Sequence, residues 1–271
     1  MKNNVEPDIK AFFENQIKVW ELARTNFEAL SFIKKRTFCC GSLLGHIQFN
    51  PARAVSTLAK VDKVSIDQRK CFLCDHNRPE EQKSFEILPD WQLLVNPFPI
   101  LPYHFTIVNS QHLPQKLEFE TGINLAKKLD GFVVFFNDDG AGASAPDHMH
   151  FQAVPLEYLP LIKLLSSKWD SIQELQLPFQ IFLDEEEIKG SKDPMNVYFW
   201  KDMKAGGVKF MAIPRKAHRP KEYFLSPPER RAISPGAIDM AGVMVTPIKE
   251  DFYRVDDKDV ENIYRQVGYD A

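Results

Sequence analysis

The chain has 271 residues, of which 44% are hydrophobic and 26% are charged, so it can bury a sizeable core in one large domain or in two fused halves. Its formal net charge of -3 argues against a basic protein that coats nucleic acid. With no long apolar run and a polar amino terminus that lacks a signal peptide, we expect a cytoplasmic protein with no membrane partner.

The hydrophobic pattern predicts an amphipathic helix over about residues 8–33, which packs on the core. Further helices are predicted near 116–130, 157–174 and 258–267. Strands are predicted near 37–49, 91–96, 104–109, 132–137, 148–154, 179–184, 196–201 and 207–213. Strands dominate the middle of the chain and helices lie between them. We therefore predict an α+β fold with a largely antiparallel sheet and flanking helices.

A histidine motif lies in the predicted strand near residue 150. Because side chains alternate along a strand, His148, His150 and Gln152 share one face, while Met149 and Phe151 turn to the core. One imidazole on such a face can be a nucleophile or a base, with its neighbour a ligand or an orienting group. The glutamine amide can hold a phosphate oxygen. The alternative is a half-buried strand whose polar face is simply hydrated.

A loop of small residues, 137–146, precedes this strand and follows a predicted buried strand. Small residues let backbone N–H groups approach a ligand closely, which suits a phosphate. We therefore expect Asn137, Gly142 and Ser144 to bind substrate, together with Asn96 at the start of a proline-rich bend. An ordinary hairpin loop is the alternative.

The Asn-Pro-Phe-Pro bend at 96–99, the strand after it and the H-x-H-x-Q motif together resemble the HIT-like superfamily. The resemblance is to the branch that contains galactose-1-phosphate uridylyltransferase, diadenosine-tetraphosphate phosphorylase and the GDP-hexose phosphorylases. Hydrolases of the superfamily carry a third histidine at the position of Gln152, whereas this branch carries glutamine. Segments 48–53, 71–79 and 232–242 are similar to segments of GDP-hexose phosphorylases, so the resemblance spans roughly residues 45 to 250.

The resemblance implies a covalent mechanism. His150 would attack the α-phosphorus of a nucleotide and hold the nucleotidyl group as a phosphoramidate until phosphate or a sugar phosphate accepts it. Gln152 would hydrogen-bond the α-phosphate oxygens as charge develops, and His148 is the third expected catalytic residue. A histidine near its ordinary pKa of about 6.5 is mostly neutral at pH 7, so His150 needs orientation more than deprotonation.

The cysteines indicate a metal site. Without a secretory signal a disulfide framework is not expected. Cys71-x-x-Cys74 has the spacing of half a zinc site. The similar uridylyltransferases imply His112 and His148 as the other two ligands of a structural zinc, with His76 as a possible substitute. The alternative is two small buried cysteines and two hydrated histidines. The remaining pair, Cys39 and Cys40, is expected in a core strand.

A possible internal repeat suggests how the chain is divided into domains. Residues 105–114 resemble 210–220, each a strand that runs into a polar turn and a histidine. Uridylyltransferases of this branch have two HIT-like halves, which implies an N-terminal helix at 1–36, a catalytic half at 37–175 and a degenerate half at 176–271. Basic residues are expected to bind the phosphates: Arg53 from the first half, Lys209 and Arg215 from the second. A hydrated basic turn is the alternative for the last two.

We therefore expect a nucleotidyltransferase or phosphorylase. Its main expected substrate is a nucleotide sugar of the GDP-hexose type, and a dinucleoside polyphosphate is the alternative. Inorganic phosphate or a sugar phosphate is the acceptor. The rival function is a catalytically silent nucleotide-binding regulatory protein. We expect no nucleic-acid partner, and a homodimer is compatible with the resemblance.

Overall fold

The computed structural model describes residues 7–58, 62–202 and 205–271. The strands are β1 (Lys34–Cys40), β2 (Leu43–Phe49), β3 (Ser84–Leu88), β4 (Trp91–Val95), β5 (Phe105–Asn109), β6 (Phe132–Asn137), β7 (His150–Pro155), β8 (Met195–Lys201), β9 (Val208–Pro214) and β10 (Val243–Thr246). The helices are α1 (Pro7–Val19), α2 (Glu21–Ala29), α3 (Ala54–Thr57), α4 (Lys63–Asp67), α5 (Phe119–Lys128), α6 (Pro160–Lys168), α7 (Glu185–Gly190), α8 (Ala237–Met240), α9 (Lys249–Arg254) and α10 (Asp257–Val267).

The strands form two sheets. The larger sheet has seven strands in the order β3-β4-β5-β7-β6-β8-β9, and every neighbouring pair is antiparallel. The smaller sheet has the order β1-β2-β10, with β10 parallel to β2. The prediction of an α+β fold with a largely antiparallel sheet and flanking helices is confirmed. Strand β7, which begins at His150, lies in the middle of the larger sheet with a paired neighbour on each side.

Hydrophobic side chains cover both faces of the larger sheet. Along β6, Val133 and Phe135 join a core that includes residues of α6, α8 and α10. The alternating residues Phe132, Val134 and Phe136 join a second core with residues of α1, α2 and α5. Removal of this apolar surface from water is the main force that holds the sheet between the two layers.

The N-terminal helix differs from its prediction. A single helix over 8–33 is wrong, because the structure has α1 and α2 with a break at Trp20. Trp20 has extended backbone angles (φ -109, ψ 100) and buries its indole beside Ile9 and Ala23 in the second core. Burial of a large aromatic side chain outweighs helical continuity here. Residues 1–6 of the predicted N-terminal unit lie outside the described residues.

Other boundaries also differ. The predicted strand at 37–49 is a hairpin of β1 and β2, which turns at Gly41 with φ +58, where a Cβ would lie 2.2 Å from the Gln176 carbonyl oxygen. The predicted strand at 179–184 is reduced to a bridge between Phe182 and Ala212. Helix α6 occupies only the middle of the predicted helix at 157–174, and 3₁₀ turns flank it. Strands β3 and β10 were not predicted.

The larger sheet is continuous across the predicted boundary at residue 175, since β6 pairs with β8 from Val133↔Trp200 to Asn137↔Asn196. The division into two HIT-like halves stays a prediction. In the part of the chain that the structure describes, no helix has both the length and the apolar character needed to cross a membrane.

Candidate active site

The predicted alternation is present within β7 for His150 and Gln152, whereas His148 precedes the strand and lies with the two cysteines and His112. His150 and Gln152 line the same cavity. Met149, Phe151 and Ala153 are buried in the hydrophobic core on the opposite side. The pairing of β7 with β5 and β6 on its two edges fixes the register of these side chains.

Gln115 holds the start of strand β7. The ladder between β6 and β7 ends at Phe135↔Gln152, two residues after His150. There the Gln115 side chain accepts from the His150 backbone N–H at 2.9 Å and donates to the carbonyl oxygens of His150 and Asn137, each at 2.9 Å. The buried Gln115 amide thus supplies hydrogen bonds where the ladder stops. Sequence analysis assigned it no role.

A hydrogen bond to the main chain orients the imidazole of His150. Its Nδ1 lies 2.8 Å from the His148 carbonyl oxygen. A carbonyl oxygen only accepts, so Nδ1 carries the proton and Nε2 carries the lone pair. Burial lowers the pKa of His150 to about 4, so the ring is neutral at pH 7. His148 therefore orients the His150 ring through its main chain and leaves Nε2 as a possible nucleophile.

His104 orients the Gln152 amide. The His104 Nδ1 accepts from the Ile100 backbone N–H at 3.2 Å, so Nε2 carries the proton and donates to Gln152 Oε1 at 2.7 Å. Burial, and then the nearby Arg53 charge, lower the pKa of His104 to about 3, so this ring stays neutral. With its oxygen engaged, Gln152 keeps its NH₂ group as the donor for a ligand.

Sequence analysis assigned His104 no function. The alternation of side chains along paired strands could have revealed its position beside Gln152. His104 lies two residues before Thr106 on β5, and Thr106 is paired with Gln152. Residues two apart on neighbouring strands lie on one face, which brings the imidazole beside the amide.

An apolar cavity of about 460 Å³ opens beside His150 and Gln152. Its apolar lining residues are Trp20, Leu22, Phe72, Leu73, Pro79, Leu94, Pro97 and Phe98. Its polar lining residues are Arg53, Arg69, Gln82, Asn96, Thr106, Ser144, His150 and Gln152. An apolar cavity of this size with a few convergent polar groups suits a nucleoside.

A smaller polar cavity of about 70 Å³ adjoins it. Arg53, Ser144 and Gln152 line both cavities, so the two meet beside the Gln152 amide. The other polar or glycine residues that line the small cavity are Thr57, Asn137, Gly142, His218, Arg219, Ser234, Gly236 and Asp239. Basic side chains from two distant parts of the chain therefore converge next to β7.

The segment 48–53 holds the proline-rich bend in place. Gln48, Asn50 and Arg53 donate to the carbonyl oxygens of residues 100, 99 and 98 at 2.9, 3.1 and 2.7 Å. Asn96 closes the start of the bend, where its side-chain oxygen accepts from the Phe98 N–H at 2.9 Å. The segment 48–53 and the bend at 96–99, which both carry the family resemblance, thus form one hydrogen-bonded unit at the edge of both cavities.

Five of the seven predicted substrate-binding residues line the cavities: Asn96 the apolar one, Asn137 and Gly142 the polar one, Arg53 and Ser144 both. Gly142 has φ +97, and a Cβ there would lie 2.6 Å from the Cα of Gly236. Only glycine allows this close approach of the small-residue loop to the C-terminal segment.

Lys209 and Arg215 line neither cavity. The Lys209 ammonium lies 3.0 Å from an Asp202 carboxylate oxygen and over the Trp169 ring. Arg215 is buried, and its Nη1 donates at 2.6 Å to Asn196 Oδ1. The Asn196 amide in turn donates to Asn137 Oδ1 at 2.8 Å, so Arg215 supports the polar cavity from behind. From the same basic segment it is His218 and Arg219 that reach the cavity.

The four predicted metal ligands lie together. The ligand atoms of Cys71, Cys74, His112 and His148 are all within 4.8 Å of one another. Cys71 Sγ to His148 Nδ1 is 3.4 Å, Cys74 Sγ to His112 Nδ1 is 3.2 Å, and Cys74 Sγ to His148 Nδ1 is 3.6 Å. In a tetrahedral zinc site the S–N edge is about 3.6 Å. The predicted alternative, His76, is not part of this cluster.

A hydrogen bond orients one of these ligands. His148 Nε2 lies 2.8 Å from the Asn109 carbonyl oxygen, so Nε2 carries the proton and the Nδ1 lone pair faces the two sulfurs. Metal-binding histidines are commonly held by such a bond from the other ring nitrogen. The donor set and its geometry fit a tetrahedral metal ion.

The segment 69–79, which we name the cysteine loop, joins the cluster to the apolar cavity. Arg69 pairs with Asp147 at 2.6 Å, and its guanidinium lies over the Phe72 ring. Phe72 and Leu73, which lie between the two cysteines in sequence, line the apolar cavity. A change at the cluster therefore reaches the cavity through a short stretch of chain.

A family model described as "Domain of unknown function (DUF4922)" matches residues 12–155, which is more than half of the chain. The chain belongs to this family. The matched residues include β1 to β7, the cysteine loop and the histidine motif. None of the curated proteins matches the chain.

Solved structures of yeast Ap4A phosphorylase Apa2 are similar in fold. The complex with AMP aligns with a TM-score of 0.57 and 16% identity, over 94% of this chain and 97% of that one. The complex with Ap4A has a TM-score of 0.59 and 16% identity, over 93% of this chain and 98% of that one. At this identity the likeness shows a common fold.

Proposed function

We propose that the protein is a nucleotidyltransferase of the phosphorylase type, which cleaves a dinucleoside polyphosphate through a nucleotidyl group on His150. The single observation that carries this proposal is the neutral, oriented His150 imidazole beside a nucleoside-sized cavity, where Gln152 joins that cavity to a small basic one. The fold shared with a yeast Ap4A phosphorylase supports a dinucleoside polyphosphate over the nucleotide sugar expected first from sequence.

In the first step, the nucleoside occupies the apolar cavity and its α-phosphate lies at Gln152. The bond from His150 Nε2 to phosphorus forms as the bond from phosphorus to the leaving oxygen breaks, and the electron pair leaves with that oxygen. The Nδ1 proton stays on the ring, where the His148 carbonyl stabilises the positive charge that develops. The Gln152 NH₂ group donates to an α-phosphate oxygen.

In the second step, an oxygen of the acceptor attacks the same phosphorus. The nitrogen–phosphorus bond breaks and its electron pair returns to Nε2, so neither step requires a proton transfer to or from the ring. Gln152 stands where hydrolases carry a third histidine, so one group able to activate water is replaced by an amide. This favours transfer to phosphate over hydrolysis.

A nucleotide sugar is the second candidate substrate. The segment 232–242, which resembles GDP-hexose phosphorylases in sequence, contributes Ser234, Gly236 and Asp239 to the polar cavity. That segment lies where the part of the substrate beyond the α-phosphate would be held. The two substrates differ in this part, so one assay separates them.

We further propose that Cys71, Cys74, His112 and His148 hold a structural zinc ion. The ion would supply no step of the reaction. It would fix the cysteine loop against the residues that precede the catalytic strand, and thereby hold Phe72 and Leu73 in the wall of the apolar cavity.

The test is a substrate panel of diadenosine tetraphosphate and GDP-, ADP- and UDP-sugars, each with and without inorganic phosphate. Without acceptor, we expect an acid-labile mass adduct of one nucleoside monophosphate on the chain. Addition of phosphate should remove the adduct and release the nucleoside diphosphate. Binding without adduct or product from any member would contradict the enzyme and favour the silent nucleotide-binding protein.

A further inference from the structure

We propose that a buried polar network aligns His150 with the polar cavity for the transfer step. The network consists of the side chains of Gln115, Asn137, Asn196 and Arg215. Asn137 lines the polar cavity, whereas the other three line neither cavity and act through their neighbours as positioning residues. This inference rests on the proposed nucleotidyl transfer at His150, and it joins the matched family region to the part of the chain that follows it.

At one end, the network holds the main chain of the proposed nucleophile. The Gln115 side chain accepts from the His150 N–H and donates to the His150 carbonyl oxygen, each at 2.9 Å. The same amide donates to the Asn137 carbonyl oxygen at 2.9 Å. Since a histidine ring has only two side-chain torsions, the position of its Nε2 depends directly on this main chain. The bonds from Gln115 therefore limit how far the attacking nitrogen can shift.

In the middle of the network, Asn137 links the main chain to side chains. Its Oδ1 accepts from Asn196 Nδ2 at 2.8 Å and from the Ala237 N–H at 2.7 Å. Asn196 also donates to the Ala141 carbonyl oxygen, in the loop of small residues, at 2.6 Å. With its oxygen engaged, Asn137 keeps its NH₂ group as a donor for a ligand in the polar cavity. The middle of the network thus ties two walls of that cavity together.

At the other end, Arg215 holds the turn that follows strand β9. Its Nη1 donates to Asn196 Oδ1 at 2.6 Å, and its Nε donates to the Val267 carbonyl oxygen at 3.1 Å. Its Nη2 donates to the carbonyl oxygens of Ala217 and His218, each at 3.1 Å. His218 lines the polar cavity, so the guanidinium fixes the main chain of a second cavity wall.

The burial of the network makes a role in positioning more fitting than a role in stability. The exposed fractions of its four side chains are 8% for Gln115, 5% for Asn137, 0% for Asn196 and 1% for Arg215. Burial lowers the pKa of Arg215 to about 10, so the guanidinium is still charged at pH 7. The four hydrogen bonds above all place this charge on neutral oxygens. Apolar side chains of similar volume often stabilise a fold at least as well as a buried charge does.

The proposed reaction needs such a connection. In-line transfer requires the attacking nitrogen, the phosphorus and the leaving oxygen to be aligned, and small displacements lower the rate. His150 lies on strand β7, whereas His218 lies on a segment that follows β9. The network joins these two sides of the reaction centre. Loss of a link should therefore slow the transfer and leave nucleoside binding in the apolar cavity unchanged.

The first test compares Gln115→Met with Gln173→Met, since Gln173 is exposed and lines neither cavity. In single turnovers, Gln115→Met should slow formation of the covalent adduct about tenfold or more. The final amount of adduct, which counts the folded active sites, should equal that of the wild type. Calorimetric affinity for AMP or GMP, whichever the wild type binds more tightly, should stay within about twofold. Gln173→Met should match the wild type throughout, and a wild-type rate in Gln115→Met would overturn the network.

A double-mutant cycle tests whether the two ends act together. Arg215→Lys keeps the charge but loses the planar donor group that makes the four bonds, so it should slow adduct formation about fivefold or more. If both side chains act through one network, the loss in the double variant should be at least about threefold smaller than the product of the two single losses. Losses that simply multiply, or a wild-type rate in Arg215→Lys, would overturn the connection.

A variant in the middle guards against a folding defect at Arg215. Asn196→Asp keeps an oxygen for the guanidinium but removes the donor to Asn137 Oδ1 and to the Ala141 carbonyl oxygen. It should slow adduct formation about tenfold, with an unchanged final amount of adduct. Adduct formation at the wild-type rate would contradict the network.

Hydrogen exchange separates failure of the network from failure of the proposed function. Absence of any adduct in the wild type contradicts the nucleotidyl transfer. The network is then tested by NMR on the His150 amide proton, which Gln115 accepts. Arg215→Lys and Asn196→Asp should each raise the exchange rate of this proton about tenfold or more, because the Gln115 amide loses a fixed neighbour. Equal protection in the wild type and both variants would overturn the network.

Discussion

Two neighbouring regions build the candidate site in different ways. Strand β7 is paired along both edges, and its inward side chains lie in the large second core. The cysteine loop has no ladder. It rests on a small hydrophobic cluster that includes Cys71 and Leu73, on the Arg69–Asp147 ion pair, and on the four side chains of the candidate metal site. Backbone pairing positions the strand, whereas side-chain contacts position the loop.

This difference separates chemistry from binding. In the proposed reaction, His150 and Gln152 face the reacting phosphorus, and both lie on the paired strand, where small displacements are most costly. In the same proposal, Phe72 and Leu73 contact the nucleoside from the cysteine loop, which side-chain contacts hold in place of a strand ladder. Changes on the strand should therefore alter turnover, and changes on the loop should alter affinity and stability.

The largest effect is expected for His150→Ala. Loss of the nucleophile should abolish the covalent adduct and lower kcat at least about 10³-fold, since no other described imidazole lines the apolar cavity. Rapid-quench mass spectrometry and steady-state assays measure the two effects. His76→Ala is the matched control, because that histidine is exposed and should leave both unchanged. A His150→Ala variant with full activity would refute the mechanism.

A smaller effect on turnover is expected for Gln152→Ala. The amide acts most strongly when charge builds on the α-phosphate, so kcat should fall about 10²-fold while nucleotide affinity changes less. Single-turnover kinetics and calorimetry give the two quantities separately. If only the dissociation constant changes, Gln152 binds the nucleotide but does not stabilise the transition state.

The positioning role of His104 predicts a still smaller loss. His104→Leu leaves the Ile100 N–H and Gln152 Oε1 without their partner, so the amide can rotate, and kcat should fall about 20-fold. His104→Gln retains a donor and should recover much of this loss. Nucleotide affinity should change little in either variant. Equal kcat values for the leucine and glutamine variants would show that the histidine only fills space.

The sequence predicted the strand better than its surroundings. Alternation of polar and apolar residues places His150 and Gln152 on one face. The spacing of the cysteines, with the family resemblance, predicted the four residues that lie together in the candidate metal site. The order of the central strands and the parallel pairing of β10 with β2 depend on contacts between distant residues. Local periodicity carries no information about such contacts.

The basic residues show the same limit. Lys209 was expected at the phosphates, yet it pairs with Asp202, which directly follows β8. Arg215 was expected there too, yet burial directs it to Asn196 and to backbone carbonyls. Charge alone predicts an affinity for phosphate. The direction of each side chain is decided by neighbours that only the folded chain supplies.

The last prediction concerns the loop and its metal. Purified protein should contain about one zinc per chain, and Cys74→Ser should lower the zinc content and reduce the melting temperature by a few degrees, because metal binding is linked to folding. A loosened loop withdraws Phe72 and Leu73 from the apolar cavity, so nucleotide affinity should fall about fivefold while kcat at saturation stays within about twofold. Metal analysis, calorimetry and kinetics measure these quantities, with His76→Ala again as the control. A proportionate fall in kcat would show that the metal also positions strand β7. Unchanged stability and nucleotide affinity in zinc-free protein would show that the four residues neither bind a structural metal nor support the cavity.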